Sequence, residues 1–81
     1  MHPELIKAHL RMHGFSLSRL ARELRVSTAN VGHVVHGRHK SIRIARRICA
    51  ITGISAREAW ENRYQELLIP ERGELNKLSA P

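Results

Sequence analysis

The 81-residue chain has little of several things, and each shortage excludes something. It has one cysteine, Cys49, so no disulfide can form within a monomer. A lone thiol fits a reducing compartment, and Cys49 lies in an apolar helical pattern that reads as core or boundary rather than nucleophile. There is one Phe, one Tyr and one Trp, too few for RNA modules that stack bases on aromatic rings. No apolar run approaches the ~20 residues of a membrane span. The start, Met1-His2-Pro3-Glu4, lacks the basic and then apolar stretches of a signal peptide, so a cytoplasmic, nucleoid-associated location is expected. Strand signal is nearly missing, since the Val34-Val35 pair falls inside a helical pattern. No glycine-rich phosphate loop or nucleophile motif occurs, and the acids lie mostly in the last third. Neither an enzyme nor a cofactor is expected.

Charge is what the chain does have. Formal net charge is +7. Residues 1–57 carry 11 Lys and Arg against Glu4 and Glu23, whereas residues 58–81 carry three basics against five acids. A positive field concentrated on the first two-thirds attracts polyanions. At this size one domain is the limit, and a chain this short buries only about 60% of its unfolded surface. A domain over residues 1–64 is expected, followed by a C-terminal tail, 65–81, that is partly ordered or a dimer contact.

The fold class reads as all-α, with four or five short helices. Helix one runs from about Pro3, suited to a first turn, to His13, with Gly14 as the stop. Its apolar arc carries Leu5, Ile6 and Leu10. Ser16 caps a second helix whose Leu17, Leu20, Ala21 and Leu24 follow i, i+3, i+4, i+7. Ser27 caps a third, ending at Gly37, with Val31, Val34 and Val35 inward. Thr28, Ala29, Gly32, His33 and His36 share another arc. A fourth helix spans about 41–52 with Ile44, Ala45, Ile48 and Ile51 inward, before Gly53. Ser55 and Glu58 frame a capping box for a fifth. The expected core is Ile6, Leu10, Leu17, Leu20, Ala21, Leu24, Val26, Val31, Val34, Ile44, Ile48, Ile51, Ile54 and Trp60.

Two short helices joined tightly, the second with a small and polar outer face, are the parts of a helix-turn-helix. Residues 17–37, LSRLARELRVSTANVGHVVHG, resemble the helix-turn-helix of the lambda-repressor-like superfamily. Ser16-Leu17, residues 48–54 and the WENRY run from Trp60 to Tyr64 are similar to the Ner/Nlp group of phage and bacterial transcriptional regulators. One position departs from that pattern. Where the family usually places Gly in the turn, this chain has Arg25, which can take φ > 0 at a cost of about 1 kcal/mol.

The resemblance implies a transcriptional regulator, of phage or prophage repressor type, whose third helix enters the major groove of double-stranded DNA. Thr28, Ala29, Gly32 and His33 then match base-facing positions, with Asn30 at the edge of the set. Gly32 costs about 1 kcal/mol against Ala in a helix and so needs a reason. The phosphate grip is expected from Ser16, Ser18 and Arg19 at the start of helix two. Beyond helix three it is expected from His36, Arg38, His39, Lys40 and Arg43. Arg46 and Arg47 read as a solvated face, and Arg11, Arg22 and Arg57 as general field.

His9 and His13, or His33, His36 and His39, have spacings that can hold zinc. No CxxC or HExxH frame supports this, so no metal is expected. Two copies on a palindromic operator are the usual way to raise the affinity of one such motif. Leu67, Leu68 and Ile69 either supply the dimer contact or fold back on the domain. No small-molecule effector is evident. The rival readings are a basic protein–protein module and a non-specific nucleoid binder.

Overall fold

The computed structural model describes residues 1–65, and these form five helices in chain order. They are α1 (Pro3–Met12), α2 (Leu17–Leu24), α3 (Thr28–Val35), α4 (Ile42–Thr52) and α5 (Ala56–Trp60). No strand occurs among the described residues. Leu67, Leu68 and Ile69 lie outside them.

Local chemistry places each boundary. Ser16, Ser27, Ser41 and Ser55 accept from the backbone N–H groups of Arg19, Asn30, Ile44 and Glu58, so four helices start on a serine cap. Ser55 and Glu58 complete the reciprocal capping box. At the start of α1, Pro3 takes the first position and His2 Nδ1 accepts from Glu4 N at 3.1 Å.

The ends of α1, α2 and α3 close by the same paired bonds. After α2, Val26 N donates to Ala21 O at 3.0 Å and Arg25 N to Arg22 O at 3.3 Å. This closure needs one left-handed residue. Gly14 and Gly37 fill that place after α1 and α3, but α2 uses Arg25, at φ 59°, ψ 44°. The turn conformation expected at Arg25 is therefore present without the glycine.

The core draws on all five helices. Ile6 and Leu10, then Leu20, Ala21 and Leu24, then Val31, Val34 and Val35, then Ile44, Ala45 and Ile48 meet at its centre. Ile54, Ala56, Ala59, Trp60 and Tyr64 close one end. Three expected core members, Leu17, Val26 and Ile51, are only half-buried at its margin, with Phe15 and Cys49. Burial pushes the Cys49 thiol pKa up, which disfavours the reactive thiolate. Leu5 departs further from expectation. It is 53% exposed, because it sits about 100° around α1 from Ile6, beyond the arc that neighbouring helices cover.

Side chains of α4 tie down the last turn of α2. Arg43 Nη2 donates to Leu24 O at 2.6 Å. Arg47 makes a two-pronged bond to Glu23, at 2.6 and 2.9 Å. Hydrogen bonding from Arg47 holds the Glu23 carboxyl below the usual range and raises the Arg47 guanidinium. Arg47 thus belongs to a helix–helix link, not to the simple solvated face expected of it. Two guanidinium groups approach the Phe15 ring, Arg19 at 4.4 Å and Arg47 at 5.8 Å from its centre.

Replacing Arg25 by glycine removes the left-handed strain without touching the core. Arg25→Gly should stabilise the domain by about 1 kcal/mol, read as a higher urea midpoint at unchanged slope.

Candidate nucleic-acid interface

Helix α3 is eight residues long, with Val31, Val34 and Val35 turned fully inward. Helical geometry then fixes what faces out. Thr28, Ala29, His33 and His36 are exposed, and Gly32 is half-buried on the same side. Asn30 is half-buried on the opposite flank of the helix, and its backbone N–H donates to the Ser27 cap hydroxyl. The polar arc read from the spacing is thus an open surface, with Asn30 at its edge.

A β-carbon built on Gly32 would lie 3.9 Å from Leu17 Cδ1, an ordinary contact. Nothing inside the fold therefore demands glycine there. The same contact sets the first turn of α2 beside the middle of α3. Ser16 and Ser18 are exposed on that turn. Arg19 is exposed too, but its Nη1 donates to Gly14 O at 2.6 Å. Lys7 and Arg11 of α1 line a small cleft with Phe15, Ser16 and Leu17. They add basic groups to the side of α2 that carries Ser16. Spacing on α1 alone had not singled them out, although they stand i, i+4 on one face.

Beyond α3 the chain turns through Gly37, Arg38, His39 and Lys40, the last three exposed. This basic turn is held at both ends by aromatic side chains from far along the chain. On one side, Trp60 Nε1 donates to Val35 O at 3.4 Å. On the other, Ser41 N donates to the Tyr64 hydroxyl at 3.0 Å. The two rings pack edge to face, 5.0 Å apart and at 62°. Lys40 Nζ stands 5.9 Å from the Tyr64 ring centre. Tyr64 is fully buried and was absent from the expected core. No helical periodicity marked it, because α5 ends at Trp60 and Glu61 turns the chain at φ 57°.

His36 sits where α3 meets α1. Partial desolvation, together with the nearby positive charges of Lys7 and Arg38, lowers its pKa below the ordinary histidine range. In the free protein this ring therefore sheds its proton more readily than a solvated histidine. Arg43 is exposed, and one of its guanidinium nitrogens, Nη2, donates to Leu24 O at the end of α2. Among the described residues no cluster of three or more His, Cys, Asp or Glu is placed to hold a metal ion.

A family model described as winged helix-turn-helix DNA-binding matches residues 1–72. The chain belongs to that family. The match covers all five helices and both aromatic anchors, and it makes this a DNA-binding domain of the helix-turn-helix kind. The strands of a wing are not among the described residues. No curated protein and no solved structure matches the chain. No described helix is long and apolar enough to cross a membrane.

Tyr64→Phe leaves the ring and removes only the acceptor for Ser41 N. The variant should lose about 1–3 kcal/mol of stability. Its amide hydrogen exchange should rise first across residues 37–41, with the amides of α2 less affected.

Proposed function

We propose that the chain is a sequence-specific transcriptional regulator, a phage- or prophage-type repressor similar to the Ner/Nlp group, reading the major groove with α3. The observation that carries this reading is the open arc of Thr28, Ala29, Gly32 and His33 beside a basic turn anchored at both ends.

Each role follows from side-chain chemistry. Thr28 hydrogen-bonds a base edge and Ala29 packs on a thymine methyl. His33 meets a purine edge. Asn30, at the edge of the arc, contributes where the duplex wraps toward it. Gly32 lets the helix axis approach closely, which explains a residue that nothing in the fold requires. Arg38, His39, Lys40 and His36 grip one stretch of backbone. Ser16, Ser18 and the first amides of α2 grip another. Arg19 is partly committed to Gly14 O but keeps donors for a phosphate. Arg43 is likewise partly committed, to Leu24 O, and keeps donors for a phosphate. Two copies pair on a palindromic operator, in the cytoplasm and on the nucleoid, with no small-molecule effector required.

Selection from a random pool of DNA duplexes tests this. An enriched palindrome is expected. Binding without enrichment points to a nucleoid-type binder, and no binding at low salt points to a protein-binding module. On the enriched site, Thr28→Ala and His33→Ala should each relax preference at one or two base pairs, by about 1–3 kcal/mol. Arg38→Gln and Lys40→Gln should weaken all duplexes alike and reduce the salt slope by about one unit each.

Gly32→Ala separates folding from reading. It should raise stability by about 0.5–1 kcal/mol through helix propensity. It should also weaken binding to the operator, because the added methyl stands between helix and groove. Equal or tighter binding would remove the proposed reason for the glycine.

A further inference from the structure

On α4 a groove of about 570 Å³ runs between the helix and the end of α2, lined by Leu24, Ile42, Arg43, Arg46, Arg47 and Ala50. Ile42, Arg46 and Ala50 stand four apart and form one ridge. Ile42 is 37% exposed on this ridge. Leu24 and the stems of the arginines make the floor apolar, and three guanidinium groups make the rim positive. Of these, Arg43 and Arg47 already hold Leu24 O and Glu23. Arg46 has no acidic partner among the described residues.

The chemistry of the groove selects its occupant. A second copy docking by the same face would set three arginines against three arginines, because a two-fold contact places each patch on itself. Nucleic acid suits the rim but has nothing to offer the floor. An apolar segment flanked by acids satisfies both.

Such a segment follows directly in the chain. Residues 66–71 read Glu-Leu-Leu-Ile-Pro-Glu, three apolar residues between two acids. The last buried side chain before it, Tyr64, reaches the start of α4. The Tyr64 hydroxyl is 3.0 Å from Ser41 N, and Ser41 immediately precedes Ile42. From Tyr64, the chain reaches at most about 10 Å to Leu67 and about 17 Å to Ile69. The ridge from Ile42 to Ala50 is about 12 Å long. The family match, too, continues past the described residues to residue 72.

We propose that Leu67, Leu68 and Ile69 dock into this groove of their own chain, with Glu66 and Glu71 drawn to its arginine rim. The docked segment covers Ile42, reinforces the α2–α4 link and offsets positive charge on α4. This inference does not depend on DNA binding and is tested without DNA.

The test is methyl NMR on the full 81-residue chain. Contacts between the methyls of residues 67–69 and those of Ile42, Ala50 or Leu24 are expected, unchanged on dilution. A mixture of differently labelled copies should give none. Leu68→Glu and Arg46→Glu should each abolish the contacts and shift the Ile42 methyls. The Ile6 and Ile48 methyls should stay in place, showing the fold intact. Absence of the contacts in the parent chain overturns the proposal. So does their appearance only between differently labelled copies, which would make the segment an exchange between partners.

Discussion

The burial of Val31, Val34 and Val35 is the interaction on which the rest depends. An eight-residue helix is too short to persist alone in water. What keeps α3 folded is its inner face, where each fully buried valine contributes about 1.5–3 kcal/mol. The same burial leaves α3 one orientation. With three valines inward, the helical period leaves Thr28, Ala29, Gly32, His33 and His36 outward. Stability and the shape of the outward surface are therefore set by two faces of one short rod.

Around that rod the domain spends few residues on rigidity and places them at joints. The turn after α3 carries the exposed basic side chains, yet the backbone at its two ends is bonded to Trp60 and Tyr64. Exposed cations on an anchored turn keep their reach while their base is fixed, which suits a grip that sets register. The joint between α2 and α4 is handled by Arg43 and Arg47. Several of the chain's arginines are thus structural first, and the net charge overstates the number available to a polyanion.

What was legible in the sequence was local. Ser16, Ser27 and Ser55 marked the starts of α2, α3 and α5, while Ser41, read as the first residue of α4, is its cap; each cap's partner amide is three residues away. The turn at Arg25 was legible through the family resemblance, which puts Gly at that position, and its partners Ala21 and Arg22 lie within one helical turn. The outer arc of α3 followed from periodicity alone. What escaped was carried by long-range contacts. Arg43 to Leu24, Arg47 to Glu23, Trp60 to Val35 and Tyr64 to Ser41 join residues 19 to 25 positions apart. No pattern along one helix encodes such pairs. Leu5 was misplaced for a related reason, because an apolar residue at the margin of an arc is buried only if a neighbour covers it.

The central claim is that the outward arc of α3, and not another basic face, meets the duplex. The direct measurement is a titration of selected operator DNA into the isotope-labelled chain, following every backbone amide. The account predicts the largest shifts at Thr28, Ala29, Gly32 and His33. Changes across residues 37–40 and at the first turn of α2 should be smaller and salt-sensitive, and the outer face of α4 should stay nearly still. Largest shifts on α4, with the arc of α3 unmoved, would contradict it.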